Sequence, residues 1–247
     1  VKKMTRFNLS LAACLISMSA ASSEGNSSSA ALKLGNEPGY STLASGASVV
    51  EIHQGSCNYS IDLKASQYVK FNTPDVVFLE SETPPKEKDW PYLEQAEMSA
   101  GYDWNFKKDD NLKSKWFGLM CDGIGNFDFQ SNGGVGSEED SPELQDVKQT
   151  NGFKCPATLT GNGWVPNKNA GRPDSYFFQK LSGAGWSGFV FGFKEGGGKN
   201  IARVSFCIVQ GDNILVGAAE NQPRSLSLSE ESFDGMKSVL ESIQFLK

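Results

Sequence analysis

Tyr176-Phe177-Phe178-Gln179-Lys180-Leu181, followed by Ser182 to Gly185 and then Gly188-Phe189-Val190-Phe191-Gly192-Phe193, is the stretch that decides the fold. Each half reads as a β-strand, with Phe189, Phe191 and Phe193 on one face of the second, and Ser182 to Gly185 reads as the turn between them. Downstream, Glu195 to Asn200 is a glycine-rich turn and Ala202-Arg203-Val204-Ser205-Phe206-Cys207-Ile208-Val209 alternates again. Gly211-Asp212-Asn213 then reverses the chain into a strand from Ile214 to Ala219. Strands joined by short turns make an antiparallel meander. Beyond it, Phe233, Met236, Val239, Leu240 and Ile243 recur at helical spacing, and Ser227 with Glu230 has the form of a capping box. The spacing predicts a helix over residues 229–242. A short amphipathic helix is marginal alone, so it is expected to cover the meander's aromatic face.

Upstream the pattern is more broken. Residues 49–52, 59–63, 68–71, 76–79, 102–106 and 116–121 are predicted strands, and residues 90–98, with Pro91 in the first turn, a short helix. Between residues 130 and 150 the composition turns to Gly, Ser, Asp and Glu, which predicts an exposed loop. The whole is expected to be one α+β domain over residues 45–247, preceded by a flexible Ser-rich lead over residues 22–44.

Residues 1–21 read as an export signal: Lys2, Lys3 and Arg6 supply the positive start, an apolar stretch runs through Ile16, and Ser19, Ala20 and Ala21 suit cleavage. The competing reading is a lipoprotein acylated at Cys14, because Leu11-Ala12-Ala13-Cys14 fits that short pattern. A soluble periplasmic or secreted product is preferred, since the apolar stretch between Arg6 and Cys14 is short for a lipoprotein signal. Beyond the signal, Cys57, Cys121, Cys155 and Cys207 form an even set in a chain bound for an oxidising compartment, which predicts two disulfides with the pairing open. A zinc site needs closely spaced ligands, whereas these cysteines are far apart and His53 is the sole histidine. No apolar run reaches the roughly 20 residues of a membrane-spanning helix. The formal charge of -6 opposes nucleic acid and anionic lipid as partners.

The meander, the short polar link and the ending Met236-Lys237-Ser238-Val239-Leu240-Glu241-Ser242-Ile243-Gln244-Phe245 resemble the PsbP-like fold over roughly the last 70 residues. That resemblance implies a class of exported proteins, including type VI secretion immunity-type proteins, that mostly bind other proteins.

The chemistry is sparse. His53 has no Gly-x-Ser-x-Gly elbow to partner, and a polar histidine at a strand end is the simpler reading. Gly183-Ala184-Gly185-Trp186-Ser187-Gly188 matches a dinucleotide pattern by letter, but a strand follows it where a helix is required, so it reads as a hairpin turn. Asp122, Asn126 and Asp128 lack the spacing of a calcium loop. Trp104 and Trp116 are expected in the core, and Trp90 and Trp164, set among prolines, glycines and charges, as exposed anchors. The expectation is an exported, non-enzymatic protein-binding protein without cofactor or metal, with immunity against a periplasm-targeted toxin as its sharpest form. Its partner would meet Glu138, Glu139 and Asp140 of the acidic loop together with Trp90 or Trp164; failing that, the face carrying Arg203, Ser205 and Val209 is next. The alternatives are a carboxylate-dependent hydrolase and an envelope lipoprotein or assembly factor.

Overall fold

The four strands of the aromatic meander form one half of a larger antiparallel sheet. The structure is a computed structural model that describes residues 31–72, 75–81, 86, 90–98, 101–108, 113–130, 140–196, 198–221 and 224–246. In chain order the elements are β1 (Leu32–Leu34), β2 (Leu43–Ser45), β3 (Ser48–Gln54), β4 (Cys57–Leu63), β5 (Tyr68–Asn72), β6 (Val76–Glu80), β7 (Tyr92–Met98), β8 (Gly101–Lys107) and β9 (Trp116–Gly123). Then come α1 (Pro142–Lys154), β10 (Ala157–Thr160), β11 (Gly163–Pro166), β12 (Tyr176–Gly183), β13 (Trp186–Lys194), β14 (Ile201–Gln210), β15 (Asn213–Ala219), α2 (Glu230–Glu241) and β16 (Gln244–Phe245). An eight-stranded sheet runs β12-β13-β14-β15-β9-β6-β5-β2, every neighbour antiparallel, and a second sheet runs β1-β3-β4-β16. The fold is α+β with predominantly antiparallel sheets, as the strand patterns require.

Register assigns side chains to the two faces of the central sheet. Cross-strand partners share a face, so Phe189, Cys207 and Val216 lie on one side with Met120, and Val190, Phe206 and Gly217 on the other with Leu119. Both faces are buried. On the first, Phe106 of β8 packs flat on Gly118, where an added Cβ would sit 2.4 Å from its ring, and Trp164 of β11 lies 5.0 Å from Phe189. On the second, the β3–β4 hairpin and α2 close the core through Ile52, Tyr59, Ile61, Phe233, Met236 and Leu240.

The final helix packs on the meander, but on the face opposite to Phe189, Phe191 and Phe193. Phe233 sits over Gly192, 3.1 Å from where a Cβ would stand, and 6.4 Å from Phe177 in ring centroids, while Trp186 Nε1 donates to the Ile243 carbonyl at 2.9 Å. Gly192 on β13 leaves the depression that a helix bearing a phenylalanine fills; the phenylalanine face has no such room. The cap is also shifted, with Ser229 accepting from the Ser232 N–H at 3.2 Å while Ser227 accepts from the Asn200 side-chain amide at 3.0 Å.

Three other expectations are corrected. Residues 92–98 form β7 rather than a helix, because pairing with β8 buries Trp104 and Phe106 and that burial outweighs the helix propensity of Leu93 to Glu97. The region 130–150 contains the start of α1: Ser141 caps it by accepting from the Leu144 N–H at 3.3 Å, and Pro142 opens the first turn. The Glu143 backbone N–H and the Ser141 hydroxyl hold the Glu143 carboxyl below its ordinary pKa. The lead does not extend to residue 44, since β1 pairs in parallel with β3 and β2 pairs with β5. Residues 1–30, with the expected signal and Cys14, lie outside the described residues.

The disulfides are Cys57–Cys121 and Cys155–Cys207. Cys121 and Cys207 stand on opposite faces of the central sheet, so each bridge fastens one covering layer. Their presence fits an oxidising compartment, and no helix of the described residues is long and apolar enough to cross a membrane. Replacing Cys155 and Cys207 by Ala should lower unfolding free energy by about 2–4 kcal/mol, read from urea titration, and the intact protein should show no alkylatable thiol among these four cysteines.

A polar strut crosses the second face. Tyr59 donates its hydroxyl to Gln54 Oε1 at 2.8 Å, and Gln54 Nε2 donates to the carbonyls of Leu119 at 2.9 Å and Asp75 at 2.6 Å. Burial pushes the Tyr59 pKa well above its ordinary value. The raised folded value means this contribution is present below pH of about 10 and is lost as pH rises further. Urea titrations between neutral and alkaline pH should show this fall, and Tyr59→Phe should flatten it.

Candidate functional site

Two polar or aromatic constellations stand out, one closed and one open. The closed one joins Glu80 at the end of β6, Lys108 just after β8, Ser114 and Asn221, all buried. Lys108 Nζ is ion-paired to Glu80 and lies 3.2 Å from Ser114 Oγ, and the Lys108 N–H donates to Asn221 Oδ1 at 2.7 Å. A serine beside a lysine is the geometry of a nucleophile and base. Here the Glu80 carboxylate engages the Lys108 ammonium, and burial of all four residues denies a substrate access. The cluster instead pins the chain after β8 to β6 and to the segment after β15. Sequence reading missed it because residues 80, 108, 114 and 221 have no common spacing.

The open constellation is the outer edge of the meander. β12 ends the central sheet, and Tyr176, Phe177 and Phe178 are half-buried there. Behind Tyr176 and Phe178 an aromatic ladder runs inward, with Phe177 on the opposite face beside Phe233: Phe191 lies 5.2 Å from Tyr176, 4.9 Å from Phe178, 5.2 Å from Phe193 and 5.7 Å from Phe189, in ring centroids. One cation covers its rim, and a second lies over Phe177 on the opposite face of β12. The Arg203 guanidinium stands 4.1 Å over the Phe193 ring and Lys194 Nζ 4.0 Å over Phe177, contacts worth roughly 0.5–1 kcal/mol each at exposed positions. A cleft of about 240 Å³ opens beside Phe193 and Arg203, walled by Glu195, Ala202, Glu220 and Asn221. Aromatic rings and arginine at a half-exposed rim are the residue types that carry binding energy at protein interfaces.

A wider groove lies between the β3–β4 hairpin and the C-terminal half of α2, lined by Val49, Leu63 and Val239. Its strand edge is already engaged: β16 pairs with Tyr59 and Ser60, and Ser242 Oγ accepts from the Asp62 N–H at 3.2 Å.

The residues named from the sequence fare differently. Trp104 and Trp116 are core residues as expected. Trp90 and Trp164 are buried too, at 8% and 2% exposure, and are not exposed anchors. Trp164 is held by Phe129, Phe189 and a hydrogen bond from Nε1 to Ser187 Oγ at 3.0 Å, while Trp90 lies under Lys70. Glu138 and Glu139 lie outside the described residues. Asp140 is half-buried and ion-paired with Lys148 at 2.8 Å, so its charge is spent on α1. On the next-choice face Arg203 is at the surface and Ser205 is buried. His53 packs 4.9 Å from Tyr40 in ring centroids. Gly183 to Gly188 forms the β12–β13 hairpin turn, with Gly185 at φ 78°. Asp122 accepts from the Gly123 N–H and the Asn126 amide, both at 2.7 Å, and Asp128 from the Gln130 N–H at 2.9 Å; these carboxylates hold turns.

Glu80→Ala should destabilise the fold by about 3–5 kcal/mol, because it strands a buried ammonium, whereas Ser114→Ala should cost about 1 kcal/mol. Guanidinium titration of both variants checks this. Comparison of the chain with protein-family models, with curated proteins and with solved structures gave no match.

Proposed function

We propose that the chain is an exported, non-enzymatic protein-binding protein whose partner docks on the β12 edge, and that neutralising a toxin delivered to the periplasm is its specific task. The observation that carries the reading is the half-exposed β12 edge, where Tyr176 and Phe178 are backed by a packed aromatic ladder rimmed by Arg203 and Phe177 on the other face lies under Lys194. A rigid, preformed apolar surface loses little conformational entropy on association, which favours tight binding. The two disulfides support export, and the PsbP-like resemblance of the last strands and helix points to the same binding class. Enzymatic readings are less well supported: the serine–lysine contact described above is buried and engaged by Glu80.

The test is a photo-crosslinking side chain placed at Phe178 in the exported protein, with one at exposed Lys33 on β1 as control. A discrete protein adduct from position 178 and none from position 33 is expected, and Arg203→Ala with Tyr176→Ala should weaken binding of the captured partner by about tenfold or more. Equal capture at both positions, or turnover of a chromogenic glycoside by the purified chain, would overturn the reading.

A further inference from the structure

We infer that the partner presents an extended, acidic segment that adds to the central sheet as a ninth strand along the outer edge of β12. This rests on the protein-binding reading above and specifies how that edge is used.

The two edges of the central sheet differ. β2 closes one with three residues, while β12 leaves the other with eight, and no strand of the described residues pairs with its outer side. Short edge strands protect a sheet against unwanted pairing; a long one with half-exposed aromatics is a template for another strand. The pairing with β13 shows which groups are available. Gly183 and Trp186 close the two-residue turn, so the main-chain groups of Gly183, Leu181, Gln179 and Phe177 face β13. By alternation, the N–H and C=O of Phe178, Lys180 and Ser182 face outward.

Charge selects the occupant. The β12–β13 hairpin carries Lys180 and Lys194, and β14 carries Arg203, with no Asp or Glu in any of the three strands, in a chain of formal charge -6. The lysines are held by neutral acceptors: Lys180 Nζ donates to the Asn162 carbonyl at 2.9 Å and Lys194 Nζ to the Asp174 carbonyl at 3.4 Å. Arg203 is ion-paired with Glu220 at 4.0 Å. A second copy pairing antiparallel in the register centred on Lys180 would set the two ammonium groups together, while a strand bearing carboxylates meets Lys180 and Lys194, whose ammonium groups rest on carbonyls; Asp234, held by the Gln179 side chain at 3.2 Å, is the one acidic group bonded to β12 among the described residues. Lys180 thus disfavours that self-pairing and favours an acidic strand.

The probe is an eight-residue peptide alternating valine and glutamate, matched to the length of β12, with a valine–lysine peptide as control. Hydrogen exchange of the full chain should show new protection at the amides of Phe178, Lys180 and Ser182, while those of Phe177, Gln179 and Leu181, already in the ladder, change little. The lysine peptide should bind about tenfold more weakly or worse. Lys180→Gln removes the charge and keeps the N–H, so affinity should fall a few-fold with the protection pattern retained, whereas Lys180→Pro removes the outward donor and should abolish binding. Should Lys180→Pro fail to fold, the alternating protection in the native chain decides. Absent protection, protection away from β12, equal binding of both peptides, or the same amides protected in a dimer of the chain alone overturns strand addition. Partner capture at position 178 without alternating protection would leave the protein-binding reading standing and remove only this one; failure of capture removes the reading itself.

Discussion

Burial of the central sheet on both faces is the constraint on which the rest of the structure depends. An antiparallel sheet can leave one face to water, yet here Phe189, Phe191 and Cys207 on one side and Val190, Phe206 and Leu119 on the other are all buried. Each face therefore needs its own cover, and the chain supplies two. The β3–β4 hairpin with α2 closes one; the β7–β8 and β10–β11 hairpins close the other. The bridges Cys57–Cys121 and Cys155–Cys207 attach one cover to each side. This division explains why the last helix bypasses the phenylalanine face: that face already belongs to Trp164 and its neighbours, and Gly192 opens the opposite one to Phe233.

With both faces closed, the central sheet has little left to offer a partner except its ends. The polar groups drawn inside are spent on structure: Gln54 and Tyr59 tie the second sheet to β9, and Glu80 with Lys108 anchors the strand-to-strand crossings. Buried, paired groups of this kind hold geometry and do not meet substrate. The aromatic ladder differs because it is continuous from the core to the rim, ending at Phe178, Tyr176 and Phe193 with the Arg203 guanidinium over Phe193. A surface connected so directly to packed core keeps its shape without a partner, so its rings stay ordered at the edge.

The acidic stretch and the tryptophans show how composition misleads about surfaces. Asp140 lies in a polar run, yet it serves Lys148 of α1; Trp164 sits beside glycines and prolines, yet it plugs the core between Phe129 and Phe189. A side chain's neighbours in sequence report on local chain conformation, and exposure is set by what arrives from elsewhere. The helix α1 escaped notice for a related reason: its apolar residues, Leu144, Val147 and Phe153, trace no stripe, and Ser141-Pro142-Glu143 was the remaining local signal.

What the sequence determined by itself was whatever depends on neighbours along the chain: the period-two strands of the meander, its turns, the amphipathic α2 and the even set of cysteines. Such features are encoded in adjacent residues, because pleat and helix impose fixed repeats on side-chain direction. Tertiary structure alone decided which face of the meander α2 covers, which cysteines pair, that residues 92–98 are strand, and that no strand of the described residues pairs with the outer side of β12. Each of these is a contest between distant segments for the same apolar surface, and its outcome depends on the shape of that surface once the sheet has formed, a quantity no local window contains.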